Sequence, residues 1–156
     1  MLPLLGPTAF PDIKPPSPKQ VREFIAKRVP QVLESDPPLR KLQKAKLQAA
    51  VAELELLAWN RTNGDTRVPD QVNASAYAQA IQTAVATGVE LADRPEDRRA
   101  WLEFGVGLEK EHEALFVSRV NRGIAPRSLA LTVRRSRFDA EIALQKHIEQ
   151  SGGKAK

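Results

Sequence analysis

From about residue 18 onward, hydrophobic positions recur at steps of three and four, the period of helices that pack on one face. Val21, Phe24, Ile25 and Val29 form the first such stripe, directly after Ser17 and Pro18, which suit an N-cap and a first helical residue. Pro30 ends or kinks this helix, and a short helical piece is expected to continue through Val32 and Leu33. Asp36, Pro37 and Pro38 repeat the start signal, with Asp36 as the cap. No proline or glycine then interrupts the chain from Leu39 to about Thr62. Leu47, Ala50, Leu54, Leu57 and Arg61 make a seam of alternating three- and four-residue steps. Leu42, Val51, Leu56 and Trp59 are expected to widen its apolar face, as in a bundle helix. Lys41, Lys44 and Lys46 precede Glu53 and Glu55, the reverse of what the helix dipole prefers, so packing must hold this helix.

Asn63, Gly64 and Asp65 predict a stop, and Pro69 the start of a helix running to about Ala92, with Val72, Ala76, Ala80, Ile81, Ala84 and Val85 facing the core. Pro95 opens the next helix, which carries Trp101, Leu102, Leu108, Leu115, Phe116 and Val120 to an elbow at Gly123. Gly105 and Gly107 within it mark a close contact or a kink. Gly123 suits the left-handed residue that ends a helix, and Pro126 introduces the last one. That last helix packs Leu129, Val133, Phe138, Ile142 and Leu144 and is expected to end at Ser151, Gly152 and Gly153. Setting Gly64 on Gly123 and Pro69 on Pro126 aligns Val72 with Leu129, Ile81 with Phe138, and Val85 with Ile142, which reads as an internal repeat.

The fold expected is therefore all-α: an antiparallel up-down bundle built from two similar helical hairpins, with a short N-terminal helix. Residues 1–18 hold half of the twelve prolines, and 1–17 are predicted to be an extended arm, packed on the body by Leu4, Leu5, Phe10 and Ile13. Residues 18–150 make a single domain and 151–156 a loose tail.

Composition adds a few exclusions. Hydrophobic residues make up 42% but aromatics only 5%, which favours helix-on-helix packing over a sheet sandwich. There is no cysteine, so disulfide and thiolate chemistry are excluded. No apolar run approaches the roughly 20 residues that span a bilayer. The start, MLPLLGP, lacks the basic region of a signal peptide. A cytoplasmic place is expected, or a periplasmic one if an export signal precedes the given chain.

Candidate chemistry is sparse. Glu109 and His112 have the Glu-x-x-His spacing of di-iron bundles, but His147, the second histidine, has Leu144 three residues before it. Glu53, Glu90 and Glu141 are the other carboxylates considered, and one histidine is too few for that template. The run EKEHE is expected as a mixed-charge solvated face with His112 at the edge of the core. No nucleophile–base pair, phosphate loop or carboxylate pair in an apolar context stands out, so neither a catalytic residue nor a cofactor is expected. The expected function is a non-enzymatic scaffold or interaction subunit whose partner is another protein or a second copy.

Net charge is +5, and its placement matters more than its size. Arg119, Arg122, Arg127, Arg134, Arg135 and Arg137 fall between Ala114 and Phe138, where there is no acid. Arg119, Arg122, Arg127, Arg134 and Arg137 are the candidate contacts for a polyanion such as nucleic acid, the alternative function. Pairing with Glu103, Glu109, Glu111 and Glu113 on the preceding helix is the competing expectation.

The second hairpin resembles those of the TolC-like outer-membrane efflux family. Those hairpins carry Arg-x-x-x-Gly before a polar turn, then a leucine, an arginine and a helical seam. Arg119, Gly123, Leu131, Arg135, Phe138 and Ala140 stand at these positions, followed by Glu141. The stretch Arg137 to Leu144, RFDAEIAL, is also similar to uncharacterised helical proteins of planctomycete-type bacteria. The resemblance implies a helical hairpin body and a bacterial origin. The chain has no alternating strand pattern for a membrane barrel, and its helices are shorter than a periplasmic tunnel requires.

Overall fold

The computed structural model describes residues 10–63 and 70–154. They form α1 (Pro18–Arg28), α2 (Pro38–Asn63), α3 (Asp70–Leu91), α4 (Pro95–Asn121) and α5 (Arg127–Lys154), with no strand among the described residues. The result is an all-α bundle in which α2 packs on α3, α3 on α4, and α4 on α5. α3 also touches α5, which leaves α2 at one edge.

The boundaries follow from local chemistry. Ser17 caps α1 reciprocally: its hydroxyl accepts from the Gln20 N–H, and the Gln20 side chain accepts from the Ser17 N–H. At the other elbow Gly123 takes φ +73°, and the Gly123 and Ile124 N–H groups donate to the carbonyls of Val120 and Arg119. Those bonds satisfy carbonyls that the end of α4 would otherwise leave open.

One core cluster joins Leu47 and Leu54 of α2, Ile81 and Ala84 of α3, and Trp101 and Leu108 of α4. Each of these leucines, fully buried, contributes roughly 2 kcal/mol of apolar transfer energy. α1 closes this cluster. Phe24 stacks on Phe104 at 4.0 Å between ring centres and meets Trp101 edge-on at 4.9 Å. A smaller cluster near the elbow holds Ala74, Phe116, Leu129 and Val133.

Small residues set how closely the helices approach. Gly88 lies against the Trp101 indole, where a Cβ would fall into the ring. A Cβ at Gly105 would sit 2.9 Å from a Val85 methyl. Gly107 admits the N-terminal arm, with Pro16 and the Lys14 carbonyl 3.0 and 3.2 Å from where its Cβ would be. Lys110 Nζ donates to the Ile13 carbonyl at 2.7 Å and fixes that crossing. Phe10 and Ile13 are half-buried, as the arm reading expects, whereas Leu4 and Leu5 lie outside the described residues.

Several expectations fail. Val32 and Leu33 are not helical, because Asp36 closes a turn there by accepting from the Leu33 N–H at 2.7 Å. Asp36 therefore caps no helix. It instead pairs with the buried Lys44 at 2.8 Å, which offsets the unfavourable early lysines of α2. Leu42, Leu56 and Trp59 are 69%, 60% and 63% exposed and do not widen the core face. α5 does not end at Ser151 but continues through Gly152 and Gly153 to Lys154. Gly64 and Pro69, on which the repeat alignment was set, lie outside the described residues, as does the Val72 side chain. Two aligned pairs do different jobs: Ile81 is buried but Phe138 is exposed, and half-buried Val85 is matched to exposed Ile142.

Candidate functional site

Glu109 is the least expected residue in the structure. It stands on α4 four residues after Gly105 and seven after Leu102, so all three share one helix face. That face forms the floor of a groove of about 250 Å³ between α3 and α5. Ile81, Val85 and Val89 of α3 line one wall; Ser136, Ala140 and Ala143 of α5 line the other, with Asp139 beside them. Glu109 is only 1% exposed, and neither carboxylate oxygen has a hydrogen-bond partner. Burial, and then the negative charge of Asp139, push its pKa up to about 8. At neutral pH the group is mostly a neutral acid, ready to ionise if a cation reaches it.

His112, one turn on, is fully buried as well. Its Nε2 lies 3.0 Å from the Ala74 carbonyl, and its ring packs on Tyr77 at 4.8 Å and edge-on to Phe116 at 5.1 Å. The EKEHE run is therefore not a solvated face: Glu109 and His112 both point into the bundle. They do not converge on a common ligand, since His112 is committed to the start of α3 while Glu109 faces the groove. His147 sits by the Pro95 carbonyl at 3.1 Å, Glu90 accepts from Gln43, and Glu141 is bound by Arg137. Among the described residues no three His, Cys, Asp or Glu groups come together to hold a metal.

The arginines divide. Arg134 and Arg137 both reach Glu113, at 3.3 and 3.0 Å, and Arg137 also binds Glu141 at 2.8 Å while lying over the Phe138 ring. Arg119 lies over the Phe116 ring at 5.4 Å. Arg122 and Arg127 are exposed at the elbow, and Arg135 is exposed further along α5. Of the expected acidic partners Glu113 takes Arg134 and Arg137, Glu103 pairs with Arg99, and Glu109 takes none.

A larger open cleft of about 520 Å³ lies at the other end, near the turn joining α3 and α4. Four basic groups, Lys27, Arg28, Arg40 and Arg94, line it against two carboxylates: Asp97 binds Arg28 at 2.7 Å and Arg94 at 3.0 Å, and Asp93 binds Arg40 at 3.6 Å. The Arg94 guanidinium first, and Arg28 with it, hold the Asp97 carboxyl below the usual carboxylate range.

One exposed apolar stripe completes the inventory. Leu42, Ala45, Ala49, Ala52, Leu56 and Trp59 follow one another along α2 at alternating three- and four-residue steps, and all are exposed. They lie on the side of α2 opposite Leu47, Ala50 and Leu54.

Compared with known protein families, curated sequences and solved structures, the chain matches none. Sequence reasoning overlooked Glu109 as a buried group because its charged neighbours in EKEHE suggested solvent. Its register with Leu102 and Gly105 was the available signal.

Proposed function

We propose that the protein is a non-enzymatic helical interaction subunit that pairs with a second copy of itself through α2. The observation that supports this reading is the exposed Leu42–Trp59 stripe, whose spacing is that of a two-helix seam. Placed antiparallel on its own copy, the stripe sets Leu42 against Trp59, Ala45 against Leu56, and Ala49 against Ala52. The alanines allow the helices to approach closely at the centre, and the larger side chains close both ends. The seam runs about 27 Å at 1.5 Å per residue.

Charge selects the direction. In an antiparallel pair Lys46 flanks the seam opposite Glu53 of the other copy, and the contact occurs twice by symmetry. A parallel pair would bring Lys41 towards Lys46 instead. Lys46 and Glu53 are both exposed, and among the described residues neither makes an ion pair within its own chain.

Light scattering on the purified chain should give twice the 17.3 kDa monomer mass. An Ala49→Glu, Ala52→Glu variant should give one chain's mass at unchanged helicity, because both positions are exposed. The chain has no cysteine, so direction can be read by oxidative cross-linking. Ala49→Cys protein mixed with Ala52→Cys protein should link more readily than either alone. A monomeric parent at high concentration would overturn the proposal.

A further inference from the structure

We propose that the groove between α3, α4 and α5 binds a small organic ammonium ion with an apolar body, and that the Glu109 carboxylate is its counter-ion. This does not depend on pairing through α2. Three observations converge. The Glu109 oxygens are enclosed and lack any hydrogen-bond donor, an arrangement that a bundle packed only for stability would avoid. The walls above them are almost wholly apolar, from Val85 and Val89 on one side to Ala140 and Ala143 on the other. Small side chains at Ser136, Ala140 and Ala143 leave space that larger residues would have filled.

The chemical class of the ligand follows from these features. An ammonium group donates hydrogen bonds and carries the charge that the carboxylate requires, while its apolar body would cover the groove walls. An anion is disfavoured twice, by Glu109 and by Asp139, the charged group on the α5 side. α3 contributes Gln82, which is uncharged, and no charged group of α3 lines the groove. A volume of about 250 Å³ is at the small end for ligand pockets, which favours a primary amine on a single ring or a short chain.

Binding should be linked to protons, because the ammonium pairs with the ionised form. With a pKa near 8, ionised Glu109 rises from roughly one part in a hundred at pH 6 to one half at pH 8, so affinity should rise roughly fiftyfold.

Titration calorimetry with 2-phenylethylammonium, and with 2-phenylethanol as its uncharged counterpart, tests the proposal. The parent should bind the amine at least tenfold tighter than the alcohol at pH 8. Glu109→Gln keeps the shape and removes the charge, and should abolish both that preference and its pH dependence. Ala143→Phe fills the groove mouth while leaving Glu109 in place, and should weaken both probes. No saturable binding to the parent, equal affinity for the two probes, or an amine preference that survives in Glu109→Gln would each overturn the assignment.

Discussion

Replacing Glu109 by glutamine should make the protein more stable at neutral and alkaline pH, and the gain should grow as pH rises. The carboxyl titrates near its ordinary value of 4.5 in the unfolded chain and at about 8 in the folded one. Between those values the folded state holds the proton more firmly, so folding stability falls as pH rises from about 5 to 8 and levels off above. At pH 7 the interval of 2.5 units from the unfolded value, at about 1.4 kcal/mol each, sets a cost of about 3 kcal/mol. That is a large part of the 5–15 kcal/mol that holds a typical domain together. Glutamine cannot ionise and escapes this cost, although its amide inherits the same lack of partners. Urea unfolding followed by circular dichroism at pH 5, 7 and 9 would measure it. The curves of parent and variant should nearly meet at pH 5, differ by about 3 kcal/mol at pH 7, and differ by about 4–5 kcal/mol at pH 9. The other acids titrate in both proteins and cancel in the difference. Parallel curves would show that the Glu109 carboxyl is not enclosed as described, and the reasoning would fail.

Two glycines give sharper mechanical tests. Gly88→Ala drives a methyl group into the Trp101 indole, and overpacking of this kind should cost about 1–3 kcal/mol in urea unfolding, with a shift in the emission of Trp101. Gly123→Ala meets no atom within 4 Å, so its loss of about 1–2 kcal/mol should come from the left-handed backbone alone and leave the folded spectrum unchanged.

The elements that could be read in advance were those written in short-range chemistry. Ser17 with Pro18, Pro95, and Gly123 with Pro126 each act on the backbone within a few residues, and each helix boundary they predict is present. What stayed hidden depends on which side of a helix a neighbour occupies. Leu42 and Leu56 look as apolar as Leu47 and Leu54, and only the position of α2 at the edge of the bundle separates the exposed pair from the buried one. Glu109 shows the converse. Its charge suggested water, while its register with Leu102 and Gly105 placed it inside. The arginines lie between these cases: Arg134 and Arg137 found an acid across the hairpin at Glu113, but the others did not share it.

The strap formed by Ile13, Lys14 and Pro16 across Gly107 also has a consequence for the order in which the molecule assembles. The hairpins join neighbouring stretches of chain, and such local closures cost little entropy and form quickly. The Lys110–Ile13 bond instead joins positions 97 residues apart. During synthesis the strap emerges before α4, yet it has no surface to meet until α4 has been made and has packed. It is therefore among the last pieces to settle, and it closes over backbone that Gly107 leaves without a side chain. A segment made before α4 thus completes a structure that the later helices begin.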